Sequence, residues 1–326
     1  MEKQELTRNI DRLLASLETV TSELRKRIIG QDELIRGILT ALIAGGHVLI
    51  EGLPGLAKTL TVKSLAAIIR ADFKRIQFTP DLLPADLVGT MIYRQDRGEF
   101  FARKGPVFSN IILADEINRA PAKVQSALLE AMEERQVTLG ETTYPLPGPF
   151  HVFATQNPIE QEGTYPLPEA QVDRFLLKLH VPYPSTEEEL AILDRFGFSS
   201  LPEVEKTAEP SLFVNLAEAA SAVAMEEHLK GYVVSLVEST RPRGRNGKPY
   251  AKYIRYGASP RASLSLYTCA KIEALFNGRT HVLPDDIKRM ALPVMRHRIL
   301  LSYEAEAIEK SADDVLLELL DTIPIP

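Results

Sequence analysis

Cysteine and tryptophan are almost absent from this chain, which has one cysteine, Cys269, and no tryptophan. A single cysteine excludes an internal disulfide, a cage of metal-binding thiolates and a CxxC redox pair. Because Cys269 stands in the apolar stretch Ala262–Ala274, we expect a buried, inert thiol rather than a nucleophile. The six histidines form no i, i+4 pair and no HExxH motif, so they indicate no metal site.

Long hydrophobic segments and an excess of positive charge are also lacking. The longest apolar run, Gly37–Ile50, contains Thr40 and His47 and is shorter than the roughly 20 residues that a bilayer requires. The N-terminal sequence MEKQELTRNI lacks the apolar core of a signal peptide. Lys and Arg total 38 against 44 Asp and Glu, and this net charge of −6 argues against nucleic-acid binding over the whole surface. We therefore expect a cytoplasmic protein without a membrane segment.

The chain does contain ample apolar material, since 45% of its 326 residues are hydrophobic. Apolar strand patterns alternate with helical patterns in the first half, and this alternation predicts an α/β core with a parallel sheet covered by helices on both faces. The predicted strands are His47–Ile50, Phe73–Phe78, Asn110–Ala114, His151–Thr155 and Leu177–Val181, and the predicted helices between them include Lys58–Ile69 and Ala122–Glu134. Glycine-containing insertions at Val88–Phe108 and Gln136–Leu146 predict two β-hairpins.

The length predicts two domains, at about 150 residues each. Residues 1–28 form a predicted N-terminal helical extension, with apolar positions at helical spacing, and 29–184 form the core. The polar stretch around Gly197–Pro210 places a linker at 185–210. Beyond it only helical patterns follow, in Ser211–Ala224, Met225–Glu238, Pro260–Phe276 and Pro284–Val294. We therefore expect 211–326 to be an all-α domain.

A glycine-containing loop, GLPGLAKT at residues 52–59, joins the first predicted strand to the helix after it. It is similar to the phosphate-binding pattern GxxxxGK[ST], with Ala57 in place of the last glycine. Backbone N–H groups of such a loop bind phosphate oxygens, Lys58 adds a mobile charge, and the Thr59 hydroxyl can bind Mg²⁺. Ala57 keeps its N–H and adds only a methyl group, which is tolerable if its φ is negative.

Acidic and polar residues follow the next strands of the predicted sheet. Asp115 and Glu116 end the apolar strand IILA, and parallel strands present their carboxyl ends to ligands at one edge of the sheet. We expect Asp115 to hold Mg²⁺ beside Thr59, and Glu116 to polarise an attacking water. Asn157, after the strand His151–Thr155, could hydrogen-bond that water or the γ-phosphate, although an Asn-Pro turn is the alternative.

Two arginines complete the candidate site. Arg174 precedes the fifth strand, and Arg261 begins a helix of the predicted second domain. Each is ordinary alone, but two arginines that approach a γ-phosphate from different bodies would couple the nucleotide state to domain or subunit position.

Taken together, these residues resemble the AAA+ ATPases, and within them the MoxR family. The matching motifs are Ile29-Gly30-Gln31, GLPGLAKT at 52–59, FTPDLLPADLVG at 78–89, IILADEINRAP at 111–121, FATQNPIEQEGTYPLPEAQVDRF at 153–175 and GASPRA at 257–262. The two hairpins are similar to the helix-2 and pre-sensor-1 inserts of that branch. The resemblance implies a P-loop core with a helical lid, and Ala57 is an ordinary residue in the family's loop.

The resemblance also implies the role of each site residue. Residues expected to contact ATP are Ile29, Gly30, Gly52, Pro54, Gly55, Leu56, Ala57, Lys58, Thr59 and Leu60. Thr59 and Asp115 would bind Mg²⁺, Glu116 completes the Walker B pair, and Asn157 is sensor 1. Arg174 would be the arginine finger that reaches a neighbouring subunit's ATP, Arg261 would be sensor 2 in the lid, and Arg119 is a further candidate for the subunit interface.

The implied function is ATP hydrolysis by a ring homo-oligomer, typically a hexamer, that remodels, matures or activates a client protein, often with a partner that carries a von Willebrand factor A domain. Three alternatives remain: a nucleic-acid motor, the ATPase subunit of a metal chelatase, and a nucleotide sensor without hydrolysis.

The acid-free basic segment Arg241–Arg255 has three interpretations, namely a solvated loop with a flexible tip, a partner-docking site, or a site for single-stranded nucleic acid.

Overall fold

A five-stranded sheet forms the centre of the first of two units in the computed structural model, which describes residues 2–158 and 164–325. The strands of the first half of the chain are β1 (Val48–Gly52), β2 (Phe73–Gln77), β3 (Gly89–Arg94), β4 (Glu99–Lys104), β5 (Ile111–Asp115), β6 (Gln136–Leu139), β7 (Thr142–Pro145), β8 (His151–Gln156) and β9 (Leu177–Val181). The sheet has the order β2-β5-β8-β1-β9, and the pairs β2–β5, β5–β8 and β8–β1 are parallel. The predicted parallel α/β core is confirmed.

Seven helices precede or accompany this sheet in the described part of the chain. They are α1 (Glu2–Arg25), α2 (Asp32–Ala44), α3 (Lys58–Ile68), α4 (Pro84–Val88), α5 (Ala122–Glu134), α6 (Glu169–Val172) and α7 (Thr186–Phe196). The segment predicted as a linker therefore begins with a helix, α7. A capping box explains its start, since the Ser185 hydroxyl accepts from the Glu188 N–H and the Glu188 carboxylate accepts from the Ser185 N–H.

Both predicted hairpins are present. Strand β3 pairs antiparallel with β4, and β6 pairs antiparallel with β7. The first hairpin places Tyr93 and Phe100 side by side, with ring centroids 5.0 Å apart. The hydrophobic core beneath the sheet is built from strands β5 and β8, helix α5 and the hairpin residues Val137 and Leu139. Packing of these apolar side chains holds the strand ends in fixed register, and the register positions the candidate site.

The second unit comprises residues up to Ala15, Leu176–Lys178 and the chain from Leu212 onward. Its elements after residue 210 are α8 (Ser211–Ala222), α9 (Glu227–Glu238), β10 (Ile254–Tyr256), α10 (Pro260–Phe276), α11 (Pro284–Met295), β11 (Leu300–Leu301), α12 (Tyr303–Ala307) and α13 (Ala312–Thr322). The expected all-helical composition needs one correction, because β10 and β11 form an antiparallel pair. Strands of two or three residues are too short to show an alternating pattern in the sequence.

The basic segment Arg241–Arg255 is folded. A 3₁₀ helix at Pro249–Tyr253 leads directly into β10, and Tyr250 is completely buried. The Arg241 Nε donates to the Ala258 carbonyl at 2.9 Å. Burial removes Tyr250 from any surface that could stack on a base. Of the aromatic residues in this region, Tyr256 is 60% exposed, with the Arg255 guanidinium 5.3 Å from its ring centre.

Cys269 is buried in α10, and burial raises the pKa of its thiol to about 12. The expected inert thiol is confirmed, since a thiol with such a pKa carries almost no nucleophilic thiolate at neutral pH. None of the helices in the described part of the chain is both long enough and apolar enough to cross a membrane.

Candidate active site

A cavity of about 470 Å³ lies at the carboxyl edge of the sheet, between the loop after β1 and the ends of β5 and β8. Its walls are formed by Pro54, Gly55, Leu56, Ala57, Lys58, Thr59, Leu60, Arg75, Asp115, Glu116, Thr155, Gln156 and Asn157. The fold therefore brings the predicted phosphate loop, both acids and Asn157 to one cavity. Arg75, Thr155 and Gln156 also line it and were not predicted.

The phosphate loop is anchored on the sheet at Gly52. A Cβ at this position would lie 2.9 Å from the Val181 Cβ, so only glycine allows β1 to approach β9 here. The Lys58 ammonium donates to the Gly52 carbonyl, which folds the lysine back along the loop. Burial lowers the pKa of Lys58, while the carboxylates of Asp115, Glu116 and Glu51 oppose that shift. The lysine charge is thus partly desolvated, and a partly desolvated charge attracts phosphate more strongly than a fully hydrated one.

Ala57 adopts a left-handed backbone, with φ 57° and ψ 10°, so the condition of a negative φ is not met. The residue is the N-cap of α3, and its carbonyl accepts hydrogen bonds from both the N–H and the hydroxyl of Thr61. The turn from loop to helix therefore requires a conformation that favours glycine. An L-residue pays about 1–2 kcal/mol for it.

Replacing Ala57 with glycine should therefore stabilise the ligand-free protein. We expect the Ala57→Gly variant to gain about 0.5–1 kcal/mol in free energy of unfolding, because relief of left-handed strain outweighs the extra entropy of glycine in the unfolded chain. Urea denaturation measures the difference. The matched control is Ala67→Gly on the exposed side of the same helix, which should lose up to about 1 kcal/mol. A loss of stability in Ala57→Gly as well would contradict this explanation.

The Asp115 carboxylate is held on both oxygens. Its Oδ2 accepts from the Arg75 Nε at 3.0 Å and the Arg75 Nη2 at 2.6 Å. Its Oδ1 accepts from the Thr155 hydroxyl at 2.6 Å, and that hydroxyl in turn accepts from the Glu116 N–H at 2.9 Å. Thr155 thus connects the end of β8 to both acids. Its position as the polar last residue of the apolar stretch HVFAT could have indicated this role from the sequence.

Glu116 also has a left-handed backbone, with φ 55°. Its Oε2 accepts from the Gln77 amide at 2.8 Å and from an Arg119 guanidinium nitrogen at 3.0 Å. Non-glycine residues in this conformation cluster at functional sites, where the surrounding structure stabilises the strain. The side chain is therefore held by named partners on β2 and on the turn after β5. Arg75 and Gln77 are two residues apart on β2 (FKRIQ), so their polar side chains lie on the same face of the strand.

Not all of the predicted nucleotide contacts line the cavity. Among the described residues, Ile29, Gly30 and Gly52 do not line the cavity. Gly30 has a left-handed backbone, and a Cβ there would collide with the Glu188 carboxylate of α7. The segment 159–163 of the longest family motif lies outside the described residues.

Comparisons with known proteins identify the family. Residues 47–177 match the model of the ATPase family associated with various cellular activities (AAA), and residues 250–319 match the AAA lid domain. The chain is 48% identical to Chaperone MoxR1 of Mycobacterium tuberculosis over 95% of its own length and 82% of that protein's. It is 31% identical to Protein MoxR of Methylorubrum extorquens over 93% of each chain.

The chain belongs to the MoxR family of AAA ATPases. A crystal structure of a provisionally assigned ATPase from Cytophaga hutchinsonii is similar over the full length of this chain and 99% of its own. The TM-score of that match is 0.91 and the sequence identity is 48%. The predicted fold class, with an AAA core and a helical lid, and the predicted ATPase activity are confirmed.

The two candidate arginines of this MoxR-family ATPase lie on different units. The Arg174 Nη1 donates to the Leu129 carbonyl at 2.6 Å, and its Nε lies 3.7 Å from the Glu133 carboxylate, so α5 of the same chain holds the side chain. Arg174 is not among the residues that line the cavity in the described part of the chain. Arg261 stands in the first turn of α10, where its N–H donates to the Ser259 hydroxyl.

The donor set of the cavity suits Mg²⁺. The Thr59 hydroxyl and the Asp115 carboxylate both line the cavity and offer oxygen ligands, and Mg²⁺ is commonly bound through one or two such groups together with substrate phosphates. Within residues 2–158 and 164–325, no cluster of three or more His, Cys, Asp and Glu side chains could hold a metal by itself. A pair of oxygen ligands such as Thr59 and Asp115 fits a metal that arrives with a nucleotide.

Proposed function

We propose that this AAA ATPase is Mg²⁺-dependent and works as a ring homo-oligomer, a hexamer, in the cytoplasm. The ring would remodel, mature or activate a client protein, together with a partner that carries a von Willebrand factor A domain. The observation that carries the proposal is the single cavity that joins Lys58 and Thr59 to Asp115 and Glu116. The relatives named as a chaperone and as MoxR proteins support the client-directed part.

Each side chain has a defined part in this proposal. Backbone N–H groups of the loop and the Lys58 ammonium bind the β- and γ-phosphates. Thr59 and Asp115 hold Mg²⁺, which neutralises charge on the phosphate oxygens when it is bound. Glu116 accepts a hydrogen bond from the attacking water and orients it, and Asn157 donates to that water or to the γ-phosphate.

Arg174 belongs to the neighbouring subunit's reaction in this proposal. Its side chain is 27% exposed and is tied to α5 of its own chain rather than to its own cavity. A guanidinium supplied in this way stabilises charge on the transferred phosphoryl group, and such arginines raise kcat by about 10³–10⁵. The core spans 29–184 and the lid spans 211–326 in this proposal. Arg261, in the lid, would sense the state of the nucleotide.

A complementation assay tests the shared site. We expect Lys58→Ala and Arg174→Ala to be inactive separately, because each lacks one half of every composite site. Mixing the two variants should restore part of the steady-state ATPase activity, since the intact loop of one subunit then meets the intact Arg174 of the other. Wild-type activity per subunit should rise with protein concentration.

The control for the arginine is Arg70→Ala, which removes an exposed arginine that pairs with Glu209 outside the cavity and should retain activity. Near-normal activity of Arg174→Ala, together with wild-type activity that is independent of concentration, would contradict the ring mechanism and leave a monomeric ATPase.

A further inference from the structure

Arg75 lies in the cavity without belonging to any motif of the nucleotide site. Strand β2 pairs with β5 so that Arg75 is opposite Leu113 and Gln77 is opposite Asp115. The arginine reaches along this edge of the sheet to the end of β5. Two of its nitrogens, Nε at 3.0 Å and Nη2 at 2.6 Å, donate to the same oxygen, Asp115 Oδ2.

The two partners of this ion pair differ in their surroundings. The Asp115 side chain is 12% exposed, whereas the Arg75 side chain is 51% exposed. The carboxylate is also fixed from its other side by the Thr155 hydroxyl. The acid is thus the immobile partner, and the arginine can leave it by rotating toward solvent.

Burial of a carboxylate requires a compensating charge. Asp115 shares the cavity wall with Glu116, so an unpaired Asp115 would add a second negative charge to a partly desolvated region. The Arg75 guanidinium supplies one positive charge at the oxygen that a divalent cation also requires. Because two cations at one carboxylate oxygen repel each other, binding of the metal and retention of the Arg75 contact oppose one another.

We propose that Arg75 is a positioning residue that serves as the internal counter-ion of Asp115 and is displaced when the divalent cation arrives with the nucleotide. This inference rests on the proposed Mg²⁺ dependence. Arg75 keeps the metal-binding carboxylate ordered before the metal binds and sets the Mg²⁺ concentration at which the site is half saturated. Its other contact, from Nη2 to the Gln77 Oε1 at 2.9 Å, gives the displaced guanidinium a second anchor on the same strand.

The experiment titrates Mg²⁺ into the full-length protein in the presence of a fluorescent ATP analogue. We expect Arg75→Gln to lower the half-saturating Mg²⁺ concentration about three- to tenfold, because the metal no longer competes with a guanidinium. The same variant should lower the melting temperature of the protein without metal or nucleotide by about 2 °C or more, since Asp115 then lacks its counter-ion. Arg75→Lys keeps the charge but not the paired N–H groups. Its half-saturating Mg²⁺ concentration and its melting temperature should lie between those of Arg75→Gln and the wild type.

The matched control is Lys74→Gln, which removes the same charge from the neighbouring position, whose side chain points to the opposite face of the strand. It should leave the Mg²⁺ dependence unchanged. Equal half-saturating concentrations in Arg75→Gln, Lys74→Gln and the wild type would overturn the inference. A higher Mg²⁺ requirement in Arg75→Gln would also overturn it, because Arg75 would then assist the metal. If the wild type bound the analogue equally well without Mg²⁺, the proposed metal dependence itself would fail, and the inference with it.

Discussion

The Glu116→Gln variant should bind ATP with nearly wild-type affinity and hydrolyse it about 10²–10⁴-fold more slowly. Glutamine has the length of glutamate and keeps an oxygen that can accept from Gln77 and Arg119, so the cavity wall and the left-handed backbone at 116 stay in place. What disappears is the negative charge that draws a proton from the attacking water. Phosphate release and equilibrium ATP binding, measured on the same preparation, separate the two effects.

Glu134→Gln is the matched control for this variant. It makes the same chemical change at an exposed residue that ends α5 and does not line the cavity in the described part of the chain. Its turnover should equal that of the wild type. If Glu116→Gln hydrolysed ATP within a few-fold of the wild-type rate, water activation would have to come from another group.

The second large effect concerns stability in mild acid. Two buried histidines, His47 and His151, should lower the free energy of unfolding by about 4 kcal/mol in total between pH 7 and pH 5. Burial lowers the pKa of His47 to about 3 and that of His151 to about 4. The unfolded chain takes up both protons below its ordinary pKa near 6.5, whereas the folded protein keeps both rings neutral. Stability is therefore complete above pH 6.5 and falls as the pH drops toward 4.

The hydrogen bond at Nδ1 gives the same sign for His47, whereas the contact of Nε2 with the Met132 carbonyl raises the pKa and is outweighed by burial. Its Nδ1 accepts from the Val152 N–H at 3.0 Å, and its Nε2 lies 3.3 Å from the Met132 carbonyl, to which it donates. Protonation of Nδ1 would remove the acceptor and place a positive charge near Arg135, which also lowers the pKa of both rings. The folded protein thus stabilises the neutral form of the His47 ring.

Urea denaturation at several pH values between 7 and 5 measures this effect. His47→Asn keeps an oxygen that can accept from Val152 but cannot titrate, so the dependence of stability on pH should fall by about half of the histidine contribution. An identical dependence in His47→Asn and the wild type would show that His47 does not carry the effect.

The five sheet strands and both hairpins were predictable because each has a local pattern. A strand such as Ile111–Asp115 is buried at every position and therefore consists of continuous apolar residues that end abruptly in acid. The hairpins alternate around glycines. Helix α7 was missed even though Ser185 and Glu188 form a recognisable capping box, because the surrounding residues are polar and none of its positions is buried.

The site was predictable only where the chemistry lies in a contiguous motif. Lys58, Thr59, Asp115 and Glu116 stand in such motifs, and the fold brings them to one cavity. Thr155 is one polar residue at the end of an apolar strand, and its bridge between the two acids depends on the register of β5 with β8. No local sequence pattern predicts that register, because paired parallel strands are far apart in the sequence.

The sequence by itself determined the family, the order of the five sheet strands along the chain, and the residue types that bind phosphate, because motif and periodicity are properties of neighbouring residues. The tertiary structure decided what depends on distant residues. It placed Arg75 on Asp115, gave Ala57 and Glu116 left-handed backbones, and buried His47 beside His151. Each of these results from packing the sheet against its loops and helices, where contacts between residues tens of positions apart outweigh local preference.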